Sequence, residues 1–294
     1  MTAELIFVDW GSTRLRAFLL DRNGHIFAQR KSDQGILALA GQNFGDILSA
    51  ATADWPAVPI LMAGMIGSRN GWVETPYLPC PANAHMLAQA LTEVRPRAFI
   101  IPGLRTEGPD LMRGEETQIV GARACDPAAT LILPGTHSKW AWRNERGDIL
   151  SFRTAVTGEL FELLSTTGSI GSLIDRSGAW DEQAFVRGLE LARQGGALSH
   201  HLFAIRAMVI TGELTSTNAL HCLSGLLIGH ELGGMTADTG AIAFATVVGA
   251  QATLQPYAVA LTHFGARSTH LDGDTAGITG AILVARAAGL IAPL

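Results

Sequence analysis

The sequence predicts an α/β protein of two lobes, and three observations carry that prediction. Short apolar runs of strand type alternate with longer segments of helical character. The opening order of strand, Gly-hydroxyl turn, strand, Gly turn, strand recurs after residue 130. The length of 294 residues suits two lobes, at about 150 residues per domain. Strands mixed with helices, the first strands antiparallel, argue against a bundle or a sandwich.

The elements follow in order. Residues 5–8 form an apolar strand, Asp9-Trp10-Gly11-Ser12-Thr13 a polar turn, and 15–20 the second strand. Asp21-Arg22-Asn23-Gly24 is a turn signal before the returning strand 25–29. The second unit repeats this with a strand at 131–133, the turn Pro134-Gly135-Thr136-His137-Ser138-Lys139, a strand at 140–142, the turn 144–147 and a strand at 149–154. Between them lie helices at 43–55, 82–93 and 114–124 and strands at 59–62 and 98–101. Beyond 154 the pattern is mainly helical, at 159–166, 181–194, 200–208 and 216–232. A strand at 241–248 and helices at 251–261 and 276–288 complete the chain. The lobe boundary falls at Asp126-Pro127, giving lobes of 1–126 and 127–274, with the segment 275–294 joining the first.

Composition excludes several classes. Hydrophobic residues are 48% and charged residues 16%, ample for a core and unlike a disordered chain. The net charge of −5 and the lack of a basic tract speak against nucleic acid as a partner. Cys80, Cys125 and Cys222 are scattered, which suits a reducing cytoplasm and gives no zinc pattern. No signal peptide is readable at the N-terminus, and the longest stretch without charge, 239–266, is interrupted by Gln, Pro and Gly. The expectation is a soluble cytoplasmic protein without membrane contact; a homo-oligomer is allowed.

Chemistry concentrates in the two turns. At the end of a strand, Gly11 lets a backbone approach a phosphate, while Ser12 and Thr13 supply donors to its oxygens. Asp9 can hold Mg²⁺, usually through water. Gly135, Thr136, His137 and Ser138 offer similar donors, and Lys139 a point charge; it and Lys31 are the only lysines. Two such turns could clamp the β- and γ-phosphates of one nucleotide. An ordinary Asp-Gly-Ser turn and a chance lysine are the bland alternatives. Walker, GxGxxG, HExxH and Gly-x-Ser-x-Gly patterns are absent, against P-loop, Rossmann, zincin and α/β-hydrolase sites.

These turns on duplicated hairpins resemble the sugar kinase/Hsp70/actin superfamily. More narrowly, FVDWGSTRLRAFLLD (7–21), MAGMIGSRNGWVETPYLPCPA (62–82), MRGEETQIVGA (112–122), LPGTHSKWAW (133–142) and FRTAVTGELFELL (152–164) resemble the 2-dehydro-3-deoxygalactonokinase family. The resemblance implies a two-lobed actin-like ATPase (ribonuclease H-like) fold with duplicated β-hairpin units and a central nucleotide cleft. It also implies ATP and Mg²⁺, and a small-molecule sugar acid phosphorylated at its terminal hydroxyl. Pro134 stands where the superfamily usually has Asp, so the second turn supplies no metal carboxylate. Arg113-Gly114-Glu115-Glu116-Thr117 resembles the Ser-Gly-x-Glu-Glu region of exopolyphosphatases, and position matching makes Glu116 the proton acceptor. Glu159 is its rival, and both read equally as acids favoured at a helix start. Arg14, and alternatively Arg16, reaches phosphate. Ser68, Arg69, Asn70 and Gly71 bind the sugar acid, Arg69 through its carboxylate; a surface turn is the plain reading. Gly229, Gly233 and Gly234 suit an adenosine contact, as do Gly249 and Ala250, although helix capping explains Gly233 as well. A phosphohydrolase on the same fold, or an ATP-switched actin-like protein without catalysis, are the alternative functions.

Overall fold

The computed structural model describes residues 2–39, 41–126 and 130–293. The chain divides into two compact units, one of 1–128, 141–153 and 272–294, the other of 129–140 and 154–271. The boundary expected at Asp126-Pro127 runs into Pro127, outside the described residues.

In the first unit the strands are β1 (Leu5–Trp10), β2 (Leu15–Leu20), β3 (Ile26–Ser32), β4 (Ile60–Ala63), β5 (Tyr77–Pro79), β6 (Thr92–Arg95), β7 (Ala98–Ile100), β8 (Gly103–Arg105) and β9 (Leu111–Met112). The helices are α1 (Phe44–Ala51), α2 (Ala84–Gln89) and α3 (Glu115–Gly121). The main sheet has the order β3-β2-β1-β4-β7-β6, with β5, β8 and β9 forming a small second sheet. β1 pairs antiparallel with β2 and parallel with β4. Five of its six residues are buried, so both faces are covered and it reads as a continuous apolar run. Ile6, Val8 and Trp10 share one core cluster with Met62 and Ile100, while Phe7 stacks on Phe18.

After the first hairpin the expected helix over 82–93 is shorter. Asn83 caps α2 by accepting the N–H of Met86, and the chain leaves the helix by Ala90 to enter β6, paired with β7. Sheet pairing there overrides local helical character. The C-terminal helix, Gly273–Ala287, packs backbone to backbone on α3. A Cβ on Gly121 would collide with the carbonyl of Ala276, and one on Gly280 with that of Thr117. The outer part of the second hairpin, 141–153, groups with this unit. There Ile149 bridges Ala82, Asn83 donates to Asp148 (3.0 Å) and Arg143 donates to the carbonyl of Ala122 (2.8 Å).

Further along the chain are β10 (Thr130–Leu133), β11 (Ser138–Arg143), β12 (Ile149–Ala155), α4 (Thr157–Thr166), α5 (Gly168–Gly171), α6 (Glu182–Arg193), α7 (Leu198–Ile210), α8 (Ser216–Thr239), β13 (Phe244–Gly249), α9 (Gln251–His263) and β14 (Arg267–Asp272). The sheet order is β12-β11-β10-β13-β14, with β10 parallel to β13. This repeats the first sheet: a three-strand unit whose first strand is flanked by a parallel strand from later in the chain. Helix α8 runs on to Thr239 rather than ending near 232, and β14 was not foreseen.

Where α6 and α8 pack, glycines set the distance. Added Cβ atoms would drive Gly188 into the carbonyl of Cys222, Gly225 into that of Phe185, and Gly229 to 2.6 Å from the Cβ of Ala192. Gly233 has open space instead. Gly225→Ala is therefore expected to lower stability in urea unfolding by about 2 kcal/mol through overpacking. Gly233→Ala should raise it by up to about 1 kcal/mol through helix propensity.

Candidate active site

The first polar turn closes β1 and is built before any ligand arrives. The Gly11 N–H donates to the Arg14 carbonyl (2.9 Å). The carbonyls of Gly11, Ser12 and Thr13 accept from Ile36, Leu37 and Gly35 at 3.0–3.2 Å. With its carbonyls engaged, the turn leaves the hydroxyls of Ser12 and Thr13 without a protein hydrogen bond among the described residues. Arg14 is exposed, with only a loose 3.8 Å pairing to exposed Asp33, an interaction worth little in water.

Asp9 sits at the carboxyl end of β1, opposite Arg16 in the strand register. Arg16 bridges the carboxylates of Asp9 and Asp274, the latter in the first turn of the C-terminal helix. Lys31, next to Arg16 across the sheet, also donates to Asp274 (3.0 Å). Burial raises the Asp9 carboxyl above its usual range, outweighing Arg16, while Asp274 and Glu115 add to the rise. A carboxylate so placed gains from further positive charge. Sequence reasoning left Asp274 and Lys31 out; only the strand register and the returning helix reveal them.

The loop after β4 meets the same end of the sheet. Gly64 has φ +95° and lies against Trp10, where a Cβ would sit 2.8 Å from the Trp10 carbonyl. Gly114, φ +111°, abuts Gly64 in turn. Beneath the loop, buried Arg113 donates to the hydroxyl and carbonyl of Thr75 and lies over the Tyr77 ring, 4.1 Å from its centroid. Ser68 is buried with no partner for its hydroxyl, whereas Arg69 and Asn70 are exposed. Arg69 makes no hydrogen bond or ion pair among the described residues.

Both acids of α3 bond to the preceding backbone. Glu115 accepts from the Arg113 N–H (3.1 Å), and Glu116 from that of Gly114 (2.6 Å). Thr117 donates a second bond to Glu116 (3.2 Å). Glu116 has no solvent exposure, while Glu115 is half-buried. Burial, then the neighbouring Glu115 charge, pushes the Glu116 carboxyl up to about 8.

The second turn is held differently. Gly135 and Thr136 stand open, but the first turn of α4 lies on them: a Cβ on Gly158 would collide with the Gly135 carbonyl. The Glu159 N–H donates to the Thr136 carbonyl (2.9 Å), and the Glu159 carboxylate meets His137 Nε2 at 2.6 Å. Two expected phosphate ligands point inward. Ser138 has no exposure and gives its hydroxyl to Glu231 (2.7 Å). Lys139 is buried, and its Nζ donates to the His137 carbonyl (2.9 Å). Both residues have already entered β11, where alternate side chains face opposite ways, and both are buried because the strand is covered on both faces.

Gly229, Gly233 and Gly234, expected near adenosine, sit otherwise than at the helix ends the sequence suggested. They lie within the 24-residue α8 rather than at a helix end, and Gly229 is consumed by packing on α6. A cavity of about 370 Å³ lies instead beside the second turn, lined by residues that include Gly135, Thr136, Leu227, Ile228, Thr253 and Tyr257. Gly249, which closes β13, stands next to Pro134 at the same end of the sheet.

Comparison with known proteins adds identity to this geometry. A family model described as 2-keto-3-deoxy-galactonokinase matches residues 9–284. The 2-dehydro-3-deoxygalactonokinase of Escherichia coli (strain K12) is 38% identical over 98% of this chain and 99% of its own length. A crystal structure from Sinorhizobium meliloti, described as a candidate 2-dehydro-3-deoxygalactonokinase, superposes with a TM-score of 0.87 at 32% identity, covering 96% of this chain and 98% of that one. The activator of the 2-hydroxyisocaproyl-CoA dehydratase from Clostridium difficile shares the actin-like fold, with a TM-score of 0.55 at 11% identity over 96% and 93% of the two chains. No helix among the described residues is long and apolar enough to cross a membrane.

The Glu116 environment makes a prediction independent of activity. Its carboxyl is neutral in the folded protein up to about pH 8 and ionises near 4.5 when unfolded. Its contribution to stability is therefore full below about pH 4.5 and is lost as pH rises to about 8. Thermal unfolding of Glu116→Gln and of the parent protein should diverge across that window, the Gln variant gaining relative stability as pH increases.

Proposed function

The chain belongs to the 2-keto-3-deoxy-galactonokinase family, and from that premise we propose that it transfers the γ-phosphoryl group of ATP to the terminal (C6) hydroxyl of 2-dehydro-3-deoxy-D-galactonate in galactonate breakdown. The loop after β4 supports the substrate reading. It offers an unpaired, exposed guanidinium at Arg69 beside a buried, unpartnered hydroxyl at Ser68. A sugar acid carries the complementary groups: a carboxylate for a charge-assisted bidentate pair, and hydroxyls for Ser68 and Asn70. Gly71 keeps the loop backbone folded on Ile66, where a Cβ would collide with its carbonyl.

Each unit brings its own part of the nucleotide chemistry. In the first, the free hydroxyls of Ser12 and Thr13 and the Arg14 guanidinium bind phosphate oxygens, and Gly11, which has no side chain, leaves room for the phosphate to approach. Asp9 would hold Mg²⁺ through water. Mg²⁺ keeps several waters and takes one or two carboxylates rather than a full protein cage. That fits a chain in which no group of three His, Cys, Asp or Glu residues forms a metal cluster among the described residues. When bound, the ion supplies charge neutralisation on the transferring group. In the second unit, Gly135, Thr136 and the N-terminus of α4 receive phosphate. The apolar cavity beside them takes the nucleoside, which moves the adenosine contact from Gly229, Gly233 and Gly234 to the α9 side.

One carboxylate must accept the proton of the acceptor hydroxyl. Position matching favours Glu116. As that carboxyl is neutral below about pH 8, a reaction through it gains rate as pH rises towards 8. Glu116→Gln should lower kcat by about 10²–10⁴ and remove a rising limb of the pH–rate profile near 8. If Glu159→Gln has that effect and Glu116→Gln does not, Glu159 is the base.

The substrate assignment has a direct test. ATP turnover should depend strictly on added 2-dehydro-3-deoxygalactonate; turnover without it would make the protein a phosphohydrolase, and tight ATP binding with negligible turnover an ATP switch. Arg69→Ala should raise KM for the sugar acid more than tenfold, the loss of one charge-assisted pair, with KM for ATP nearly unchanged.

A further inference from the structure

Glu231 is a buried carboxylate that the reaction described above does not use. It lies on α8 and is 6% exposed. Four side chains from three other elements of the second unit, β11, α4 and α9, donate to it. Its Oε1 accepts from the Ser138 hydroxyl (2.7 Å) and the Trp140 indole N–H (2.6 Å). Its Oε2 accepts from the Tyr257 hydroxyl (2.8 Å) and from the hydroxyl of Thr157. Ser138 ends the Gly135–His137 turn, Thr157 is the first residue of α4, and Tyr257 is on α9 beside the cavity.

These donors are not scattered: they are the supports of one short stretch of backbone. Gly158 follows Thr157 and lies against the Gly135 carbonyl, and Glu159 donates to Thr136. Holding Ser138 and Thr157 on the two oxygens of one carboxylate fixes the end of the turn and the start of α4 at a set separation. We propose that Glu231 is the positioning residue for the Gly135-Thr136 turn, and that through Ser138 and Thr157 it sets the affinity for the nucleotide while leaving the sugar acid untouched. This rests on the reading above that the turn and its cavity receive ATP.

The chemistry of the donors predicts how a conservative change acts. Trp140 can only donate, so a Gln at 231 must keep its amide oxygen towards Trp140 and Ser138. Its NH₂ then faces Thr157 and Tyr257, which as hydroxyls can turn to accept. The network stays occupied, but the Thr157 bond is reversed and no longer has a carboxylate as acceptor, so the tie between the start of α4 and the turn is weaker.

Glu231→Gln and Trp140→Phe are compared with the parent protein by calorimetric ADP binding without sugar acid, by both KM values, and by thermal unfolding. For Glu231→Gln the Kd for ADP and the KM for ATP should rise roughly tenfold, the scale of one hydrogen bond to a charged group, with KM for the sugar acid within about twofold. Trp140→Phe should shift the same two constants in the same sense by less, since Ser138 remains on Oε1. Lower thermal stability with parental ADP affinity in Glu231→Gln would overturn the proposal by making the network structural only. Equal rises in both KM values would overturn it too. Should Glu231→Gln not fold, Trp140→Phe decides: an unchanged Kd for ADP sinks the idea. A parent protein that binds no ADP would instead refute the nucleotide reading of the turn.

Discussion

A strand buried on both faces can present polar chemistry only at its ends, and that constraint organises each unit. β1 is covered above and below, and its neighbours β2 and β4 occupy its sides. Asp9 appears where the strand stops being enclosed. Because β4 runs parallel to β1 in the register Asp9↔Ala63, the residue after each strand emerges at the same edge, and Gly64 arrives against Trp10. β10 and β13 repeat the arrangement, bringing Gly249 next to Pro134. Ligand sites in parallel sheets collect at the carboxyl ends of the strands for this reason.

Close approach at those ends requires missing side chains. Gly64 and Gly114 stand back to back with left-handed backbones, so the loop after β4 and the start of α3 share one small volume with Asp9. Ion pairing then orders what steric closeness has gathered. Arg16 joins Asp9 to Asp274, tying the first turn to a helix more than 250 residues later in the chain. The backbone contact of that helix with α3 holds both ends of the bridge in place.

Two buried carboxylates show how the same residue type serves different ends. Glu231 receives four side-chain donors, from Ser138, Trp140, Thr157 and Tyr257. Glu116 receives one backbone N–H and one hydroxyl, next to a second carboxylate, and its proton is retained up to about pH 8. For Glu116, burial and the neighbouring Glu115 charge are the causes of the raised pKa.

Local chemistry was legible in the sequence. The two hairpins, their Gly-hydroxyl turns and the family motifs are written in contiguous residues, because turn preference and strand periodicity act over a few positions. The duplicated topology followed, since a repeated local pattern pairs in a repeated way. What depended on distant partners was not legible. That Gly229 packs against α6, and that Ser138 and Lys139 are buried in β11, could be seen only once the elements were packed. The helix expected over 82–93 yields to β6 because β7 offers a backbone ladder that no local propensity announces. Glu231 looks like any helical acid until Ser138, Trp140, Thr157 and Tyr257 converge on it. The sequence by itself determined which groups exist and where the chain turns; the tertiary structure decided which of them face solvent, because burial is a property of the packed neighbours and not of the residue.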